Sequence, residues 1–493
     1  MPFEIAPTDS DRCAMGVEGL DAVLHGGLPR NRLYLLQGNP GVGKTTMAMQ
    51  FLMEGLRRGE AGLYITLSET REEIEAVAVS HGWDLSALHL YELSTIEETI
   101  RGDSESTFFH PAEVELNRTI GALIAEIERV NPSRVVFDSL SEMRMLADTP
   151  LRYRRQILQL KQFLAGRRAT VLLLDDLTAG AGNLEVESIA HGVLTLERTS
   201  PGYGISRRQL TIMKLRGSEF SEGFHDLILS RGGMKIFPRL VAGEQHTDFV
   251  REDFPSGITE LDALLGGGLG RGTSAMFMGP PGTGKSTLAV KFALSGAERG
   301  EKSLILCFDE TLGTLLDRVA KLGMDISAHV TAGRIILQQL DPAQISPGEF
   351  ASRIQEAVVR DEVKMVIVDS INGYLNAMPE ERYLNLQLHE LLASLNQLGV
   401  ITIMVLAQQG LIGVMQTSVD LTYLADTVML LRYYEARGEV KQALSVIKKR
   451  SGNHERTIRE ISVGPGGIKV GAPLRGLQGV LTGVPTFVHE HQP

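Results

Sequence analysis

Short, almost unbroken apolar runs alternate along this chain with longer stretches whose apolar residues recur every three or four positions. The first kind reads as buried strands, at 32–37, 62–67, 134–137 and 170–174. The second kind reads as amphipathic helices at 45–57, 117–130 and 152–164; in the middle one Ile120, Leu123, Ile124 and Ile127 share a face. Strands at 274–278, 303–307, 364–368 and 400–406 repeat the order. Strands with no polar face, separated by helices, predict an α/β protein. It would hold two tandem domains, each a mostly parallel sheet covered by helices on both faces. The boundaries expected are a first domain over 1–238, a linker over 239–252, a second domain over 253–470 and a tail over 471–493.

The repeat carries chemistry. Gly38-Asn39-Pro40-Gly41-Val42-Gly43-Lys44-Thr45-Thr46 recurs as Gly279-Pro280-Pro281-Gly282-Thr283-Gly284-Lys285-Ser286-Thr287, 241 residues later. Both match G-x-x-x-x-G-K-[ST], the phosphate-binding loop. Glycines let consecutive backbone N–H groups turn toward one anion, and the following helix adds its N-terminal dipole. Lys44 and Lys285 are expected to reach the β- and γ-phosphates of ATP, and Thr45 and Ser286 to give a hydroxyl to Mg²⁺. The same offset relates residues 16–28 to 257–269, Ser68-Glu69-Thr70 to Asp309-Glu310-Thr311, and Gly82-Trp83-Asp84 to Gly323-Met324-Asp325. A period this long is a duplicated domain.

Ligands of parallel sheets bind at the carboxyl ends of the strands, where further acids fall. Asp138 and Asp369 close apolar strands and fit a Mg²⁺-organising acid; a strand-terminal aspartate in a turn is the plainer alternative. Glu69, Asp309 and Glu310 close the strand after the loop helix, either as carboxylates that orient the nucleophile or as helix caps. Lys214-Leu215-Arg216 and Lys448-Lys449-Arg450 close late apolar strands. Residues i and i+2 share a strand face, so Lys214 with Arg216, or Lys448 with Arg450, fits a phosphate clamp; edge strands guarded by charge fit equally well.

Composition narrows the classes. Hydrophobic residues make up 43% of the 493, enough for large cores, and the formal net charge of −11 gives no general attraction to nucleic acid. The basic run Arg152, Arg154, Arg155, Lys161, Arg167 and Arg168 has few aromatics nearby and reads as a solvated helix face. Cys13 and Cys307 show no metal or redox spacing. With no signal-like N-terminus and no 18-residue apolar run, a cytoplasmic protein without a membrane segment is expected.

Together, the paired loops, the Gly-x-x-x-Leu-Asp segments before them, the strand-end acids, Lys214-Leu215-Arg216-Gly217 and Ala425-Asp426-Thr427 resemble the KaiC family of tandem RecA-like ATPases. The resemblance covers residues 14 to 488. It implies RecA-like folds, ATPase activity and serine/threonine autokinase activity, with ATP and Mg²⁺. It also implies a double-ring homohexamer in which Lys214, Arg216, Lys448 and Arg450 act on nucleotide of the adjacent subunit. A KaiB-like protein or a histidine kinase is the expected signalling partner. Residues 416–423 match the family's phosphorylated stretch, with Thr422 the expected acceptor, Thr417 or Ser418 secondary, and Tyr423 poorly suited. Ser68, Asp309, Ser451 and the Thr422-Tyr423 pair depart from the clock pattern. So does the short tail where clock proteins dock the activator KaiA, so a relative outside the complete clock is expected. The rival readings are a DNA-stimulated RecA- or RadA-type motor and a nucleotide-gated scaffold with little turnover.

Overall fold

The computed structural model describes residues 11–93, 111–147, 149–177, 184–200, 204–241, 247–341, 343–376, 383–410, 421–482 and 485–487. The chain divides into two compact units, Met1–Arg239 and Leu240–Pro493. Each is built on a nine-stranded sheet. In the first unit the strands are β1 (Leu33–Gly38), β2 (Gly62–Thr66), β3 (His89–Glu92), β4 (Arg134–Asp138), β5 (Thr170–Asp176), β6 (Gly192–Thr199), β7 (Arg207–Leu215), β8 (His225–Ser230) and β9 (Gly233–Phe237). Their spatial order is β3-β2-β4-β5-β1-β6-β7-β8-β9. In the second unit they are β10 (Ser274–Gly279), β11 (Lys302–Cys307), β12 (Ile335–Gln339), β13 (Val363–Asp369), β14 (Ile401–Ala407), β15 (Thr427–Ala436), β16 (Glu439–Lys449), β17 (Ile458–Gly464) and β18 (Gly467–Pro473). The order β12-β11-β13-β14-β10-β15-β16-β17-β18 is the first unit's order repeated. The first six strands of each sheet run parallel, as β1 does to β5 and β6, and the last three add antiparallel hairpins.

Alternation along the strands feeds two cores per sheet, because successive side chains point to opposite faces. On β1, Tyr34 and Leu36 join Met47, Phe51 and Leu52 of the loop helix Lys44–Arg57. Leu33 and Leu35 join Ile120, Leu123, Ile127, Ile157 and Leu160 from the helices Pro111–Val130 and Pro150–Ala165. In the second unit Ala275 and Phe277 meet Leu288 and Phe292 of the loop helix Lys285–Glu298, while Met276 meets Phe350 and Leu388 on the other face. Both faces are buried, so the strands carry no polar alternation.

Some boundaries moved. The helix expected at 152–164 starts at Pro150, because Thr149 caps it by accepting from the Arg152 N–H and a proline at the first turn gives up no hydrogen bond. The strand expected to end at Leu174 runs on through Asp175 and Asp176, which pair with Gln37 and Gly38 of β1. Strand β18 crosses residue 470 and pairs with β17, and beyond it Val480 is buried while Arg432 donates to the Leu481 carbonyl.

Candidate nucleotide sites

In the first unit Gly38, Thr66, Asp138 and Asp176 are the carboxyl ends of four parallel strands and meet at one edge of the sheet. A Cβ at Gly38 would lie 2.4 Å from the Leu196 carbonyl, and Gly43 at φ 114° lets the chain turn into the loop helix. Lys44 is 9% exposed; its Nζ donates to the carbonyls of Gly38 (2.8 Å) and Asn39 (3.2 Å) and to Asp176 Oδ1 (2.6 Å). Asp138 Oδ2 accepts from Thr45 Oγ1 at 2.9 Å and from Tyr64 OH at 2.5 Å. Burial pushes the Asp138 carboxyl above its ordinary range, although both hydroxyls and Lys44 favour its charged form. Glu69 is fixed through its backbone, since Thr66 Oγ1 accepts from its N–H and donates to its carbonyl. Its Oε2 is buried and has no hydrogen-bond partner among the described residues. Burial raises the carboxyl, and the neighbouring charges of Asp138 and Glu73 raise it further. A lysine cradle, a hydroxyl–carboxylate pair and a carboxylate of raised proton affinity thus share one end of the sheet.

The second unit repeats the cradle and changes the charges. Gly279 sits at φ 152°, with its Cβ direction 2.1 Å from the Leu431 carbonyl. Lys285 Nζ donates to the Pro280 carbonyl at 2.7 Å, and burial lowers its pKa to about 8, opposed by Asp369. The register of β10 on β14 sets Ala407 opposite Gly279, where the first unit has Asp176 opposite Gly38. Burial raises Asp369, and the Ser286 hydroxyl and then Arg318 pull it back down. Asp309 Oδ2 accepts from Ser370 Oγ at 2.5 Å. Glu310 is ion-paired: Arg318 Nε donates to Oε1 (3.0 Å) and Nη2 to Oε2 (2.7 Å), while Nη1 donates to Thr287 Oγ1 (2.9 Å). The remaining loop residues Gly41, Val42, Gly282, Thr283 and Gly284 fall in the two turns and Thr46 in the first turn of the loop helix, and Thr283 Oγ1 donates to the Pro280 carbonyl at 2.9 Å.

The four late cations lie elsewhere. Lys214 pairs with Val193 and Lys448 with Val428, each three residues before the position opposite the loop's first glycine, about 10 Å along a strand. Lys214 donates to the Glu187 carbonyl and Arg216 to that of Ser188 (2.8 Å), so the i, i+2 pair does converge. Burial, then Arg216, lowers the Lys214 pKa. Lys448 Nζ bonds the carbonyls of Thr422 (2.9 Å) and Ala425 (2.7 Å), and Arg450 that of Tyr423 (3.3 Å). Lys449 points the other way and is buried against Asp253 and the carbonyls of Leu265 and Gly268. Thr422 is half-buried and lines a cleft of about 490 Å³ with Lys448, Gln408 and Arg432; Tyr423 is 54% exposed. Thr417 and Ser418 lie outside the described residues.

The family described as "ATPase: KaiC" matches residues 13–241 and again 254–475. The chain belongs to the KaiC ATPase family. It is 27% identical to the circadian clock oscillator protein KaiC of Parathermosynechococcus lividus, over 96% of this chain and 88% of that one. The KaiC of Picosynechococcus sp. is 27% identical over 96% and 92%, and the circadian clock protein KaiC3 of Synechocystis sp. 25% identical over 98% and 96%. Each half of this KaiC-family chain is thus a RecA-like α/β domain of an ATPase, and nucleotide binding follows from the family. No helix among the described residues is long and apolar enough to cross a membrane.

Reading motifs in this KaiC relative missed Tyr64, Asp176 and Arg318. Asp176 was within reach, as the end of a strand beside the loop strand, had the strand been carried past two acidic residues. Tyr64 lies inside a buried strand, where an aromatic reads as core. Arg318 is eight residues from Glu310, outside the spacing of helical neighbours.

Proposed function

We propose that this protein is an ATP-hydrolysing, self-phosphorylating ring assembly, with both loops as ATP sites. The observation that carries the hydrolytic reading is Glu69: a buried carboxylate oxygen with no partner among the described residues, raised in basicity, at the end of the sheet that carries Lys44 and Asp138. It fits the group that orients water toward the γ-phosphate and takes up its proton. Asp309 and Glu310 occupy that place in the second half.

Mg²⁺ fits the same edges. Thr45 with Asp138, and Ser286 with Asp369, already form hydroxyl–carboxylate pairs that would hold it, the acids through water. When bound with ATP it supplies positive charge to the phosphate oxygens. Lys44 and Lys285 bind the phosphates, and the glycine turns orient them.

Lys214, Arg216, Lys448 and Arg450 lie toward the end of each sheet away from its own loop. That supports their reading as clamps for nucleotide held by the next subunit, hence a homohexamer of two stacked rings. The cation pair of the second half also touches the Thr422–Ala425 backbone, which supports Thr422 as the acceptor of a γ-phosphate, with Thr417 as a further candidate. A KaiB-like protein or a histidine kinase is the partner class proposed for the output.

Incubation with γ-labelled ATP and Mg²⁺, with and without single-stranded DNA, tests the reading. Released phosphate, label at Thr422 by peptide mass spectrometry, and a hexamer by light scattering are expected. Stimulation by DNA without label would favour the motor instead, and a monomer in ATP would remove the role in trans.

A further inference from the structure

The two halves keep one register from the strand-end acid through the following helix, since Glu69 and Glu310, like Gly82 and Gly323, are 241 residues apart. Within that register Val77 of the helix Arg71–His81 stands where the helix Leu312–Lys321 has Arg318. Val77 packs against the apolar core. Arg318 instead spends all three of its nitrogens on the site: two on the oxygens of Glu310 at 3.0 and 2.7 Å and one on Thr287 Oγ1 at 2.9 Å. Thr287 belongs to the first turn of the loop helix, so the guanidinium ties the strand-end acid to the phosphate loop. A planar fork matched to both carboxylate oxygens is the strongest hold a side chain can exert on a glutamate, and it does not titrate away. The counterpart oxygen in the first half, Glu69 Oε2, is buried and has no partner among the described residues. Both Glu310 oxygens accept from one guanidinium, which fixes the plane of the carboxylate and keeps it turned toward Arg318.

We propose that Arg318 is a positioning residue that withholds Glu310 from water, so that the second half holds ATP without hydrolysing it at the rate of the first. The inference rests on the reading of both loops as ATP sites. Hydrolysis of ATP by water needs a proton acceptor as the oxygen–phosphorus bond forms and ADP leaves. In the second half Glu310, the acid in register with Glu69, has both oxygens held by Arg318, while its neighbour Asp309 accepts from Ser370.

The test uses the full chain with Lys44→Ala, so that phosphate release reports the second half. Release and binding of a fluorescent ATP analogue are measured with Arg318 intact, with Arg318→Val, with Arg318→Lys, and with Arg318→Val plus Glu310→Gln. Arg318→Val places the first half's own residue there and should raise kcat by about tenfold or more with little change in KM. Arg318→Lys keeps the charge without the fork and should give part of the gain. Glu310→Gln should abolish the gain, which a general loosening of the fold would not predict. Arg318→Val turning over no faster while binding nucleotide as the parent does, or a gain that survives Glu310→Gln, overturns the latch. If Arg318→Val no longer binds nucleotide, the outcome falls to Arg318→Lys, and no gain there overturns it as well. Absence of nucleotide binding in the Lys44→Ala parent would instead sink the two-site reading, and the latch with it.

Discussion

The two halves of this KaiC-family protein share a strand order, a phosphate loop and a strand-end aspartate, yet they spend their charges in opposite ways. In the first, the loop lysine Lys44 is paired with Asp176, and Oε2 of the carboxylate Glu69 has no partner among the described residues. In the second, the loop lysine Lys285 bonds a carbonyl, and the carboxylate Glu310 is paired with Arg318. Tyr64 adds a second hydroxyl to Asp138, where the register of the second half has Ile305. A duplicated fold therefore conserves the cradle, which is backbone geometry, and diverges in the pairing of side chains around it. Pairing steers chemistry, because a bidentate guanidinium fixes a carboxylate's orientation, whereas burial without a partner raises a carboxylate's affinity for a proton.

The largest effect in this comparison should come from the lysines common to both halves. Lys44→Ala and Lys285→Ala each should weaken nucleotide binding at their own site by about 100-fold, and the double substitution should abolish it. Titration with a fluorescent ATP analogue checks this; one substitution emptying both sites would show that the halves are not independent.

Glu69→Gln, tested with Lys285→Ala, should lower phosphate release on the order of 100-fold and leave affinity unchanged. The same change should stabilise the first domain at neutral pH. Glu69 is raised in the folded state, so its ionised form opposes folding. That penalty is complete above the folded pKa and vanishes below the unfolded value of about 4.3. The difference in Tm between Glu69→Gln and parent should therefore be positive near neutrality and close on acidification. For the same reason, hydrolysis at this site should begin to fall at a higher pH than an ordinary glutamate would give. A Tm unchanged at every pH would mean that Glu69 is solvated after all.

Asp176→Ala gives the first site the residue of the second, Ala407. With no carboxylate to displace from Lys44, ATP should bind severalfold tighter, by roughly 1 kcal/mol. Weaker binding would show that Asp176 positions the lysine rather than competing for it. The smallest effect expected is that of Tyr64→Phe, which removes one donor from Asp138. It should lower the first domain's Tm by a few degrees, for a loss of roughly 1–2 kcal/mol, and should leave the second domain unaffected.

The sequence by itself determined the duplicated α/β architecture, the two phosphate loops and the strand-end acids. Each of these is written in contiguous residues: apolar runs set the strands, glycines set the turns, and the residue after a strand lies at its carboxyl end. Asp138 and Asp369 were legible for that reason, and Glu69 as an acid three residues past the end of β2. Tertiary structure alone decided which charges meet. Lys44 and Asp176 are 132 residues apart and touch only because β5 lies beside β1 with Asp176 opposite Gly38. Tyr64 reaches Asp138 because β2 and β4 are neighbours, and Arg318 reaches Glu310 across a helix start that no helical spacing predicts. Strand adjacency and the turn into a helix are global outcomes of packing, so the pairing that separates the two sites is fixed only when the sheet is assembled.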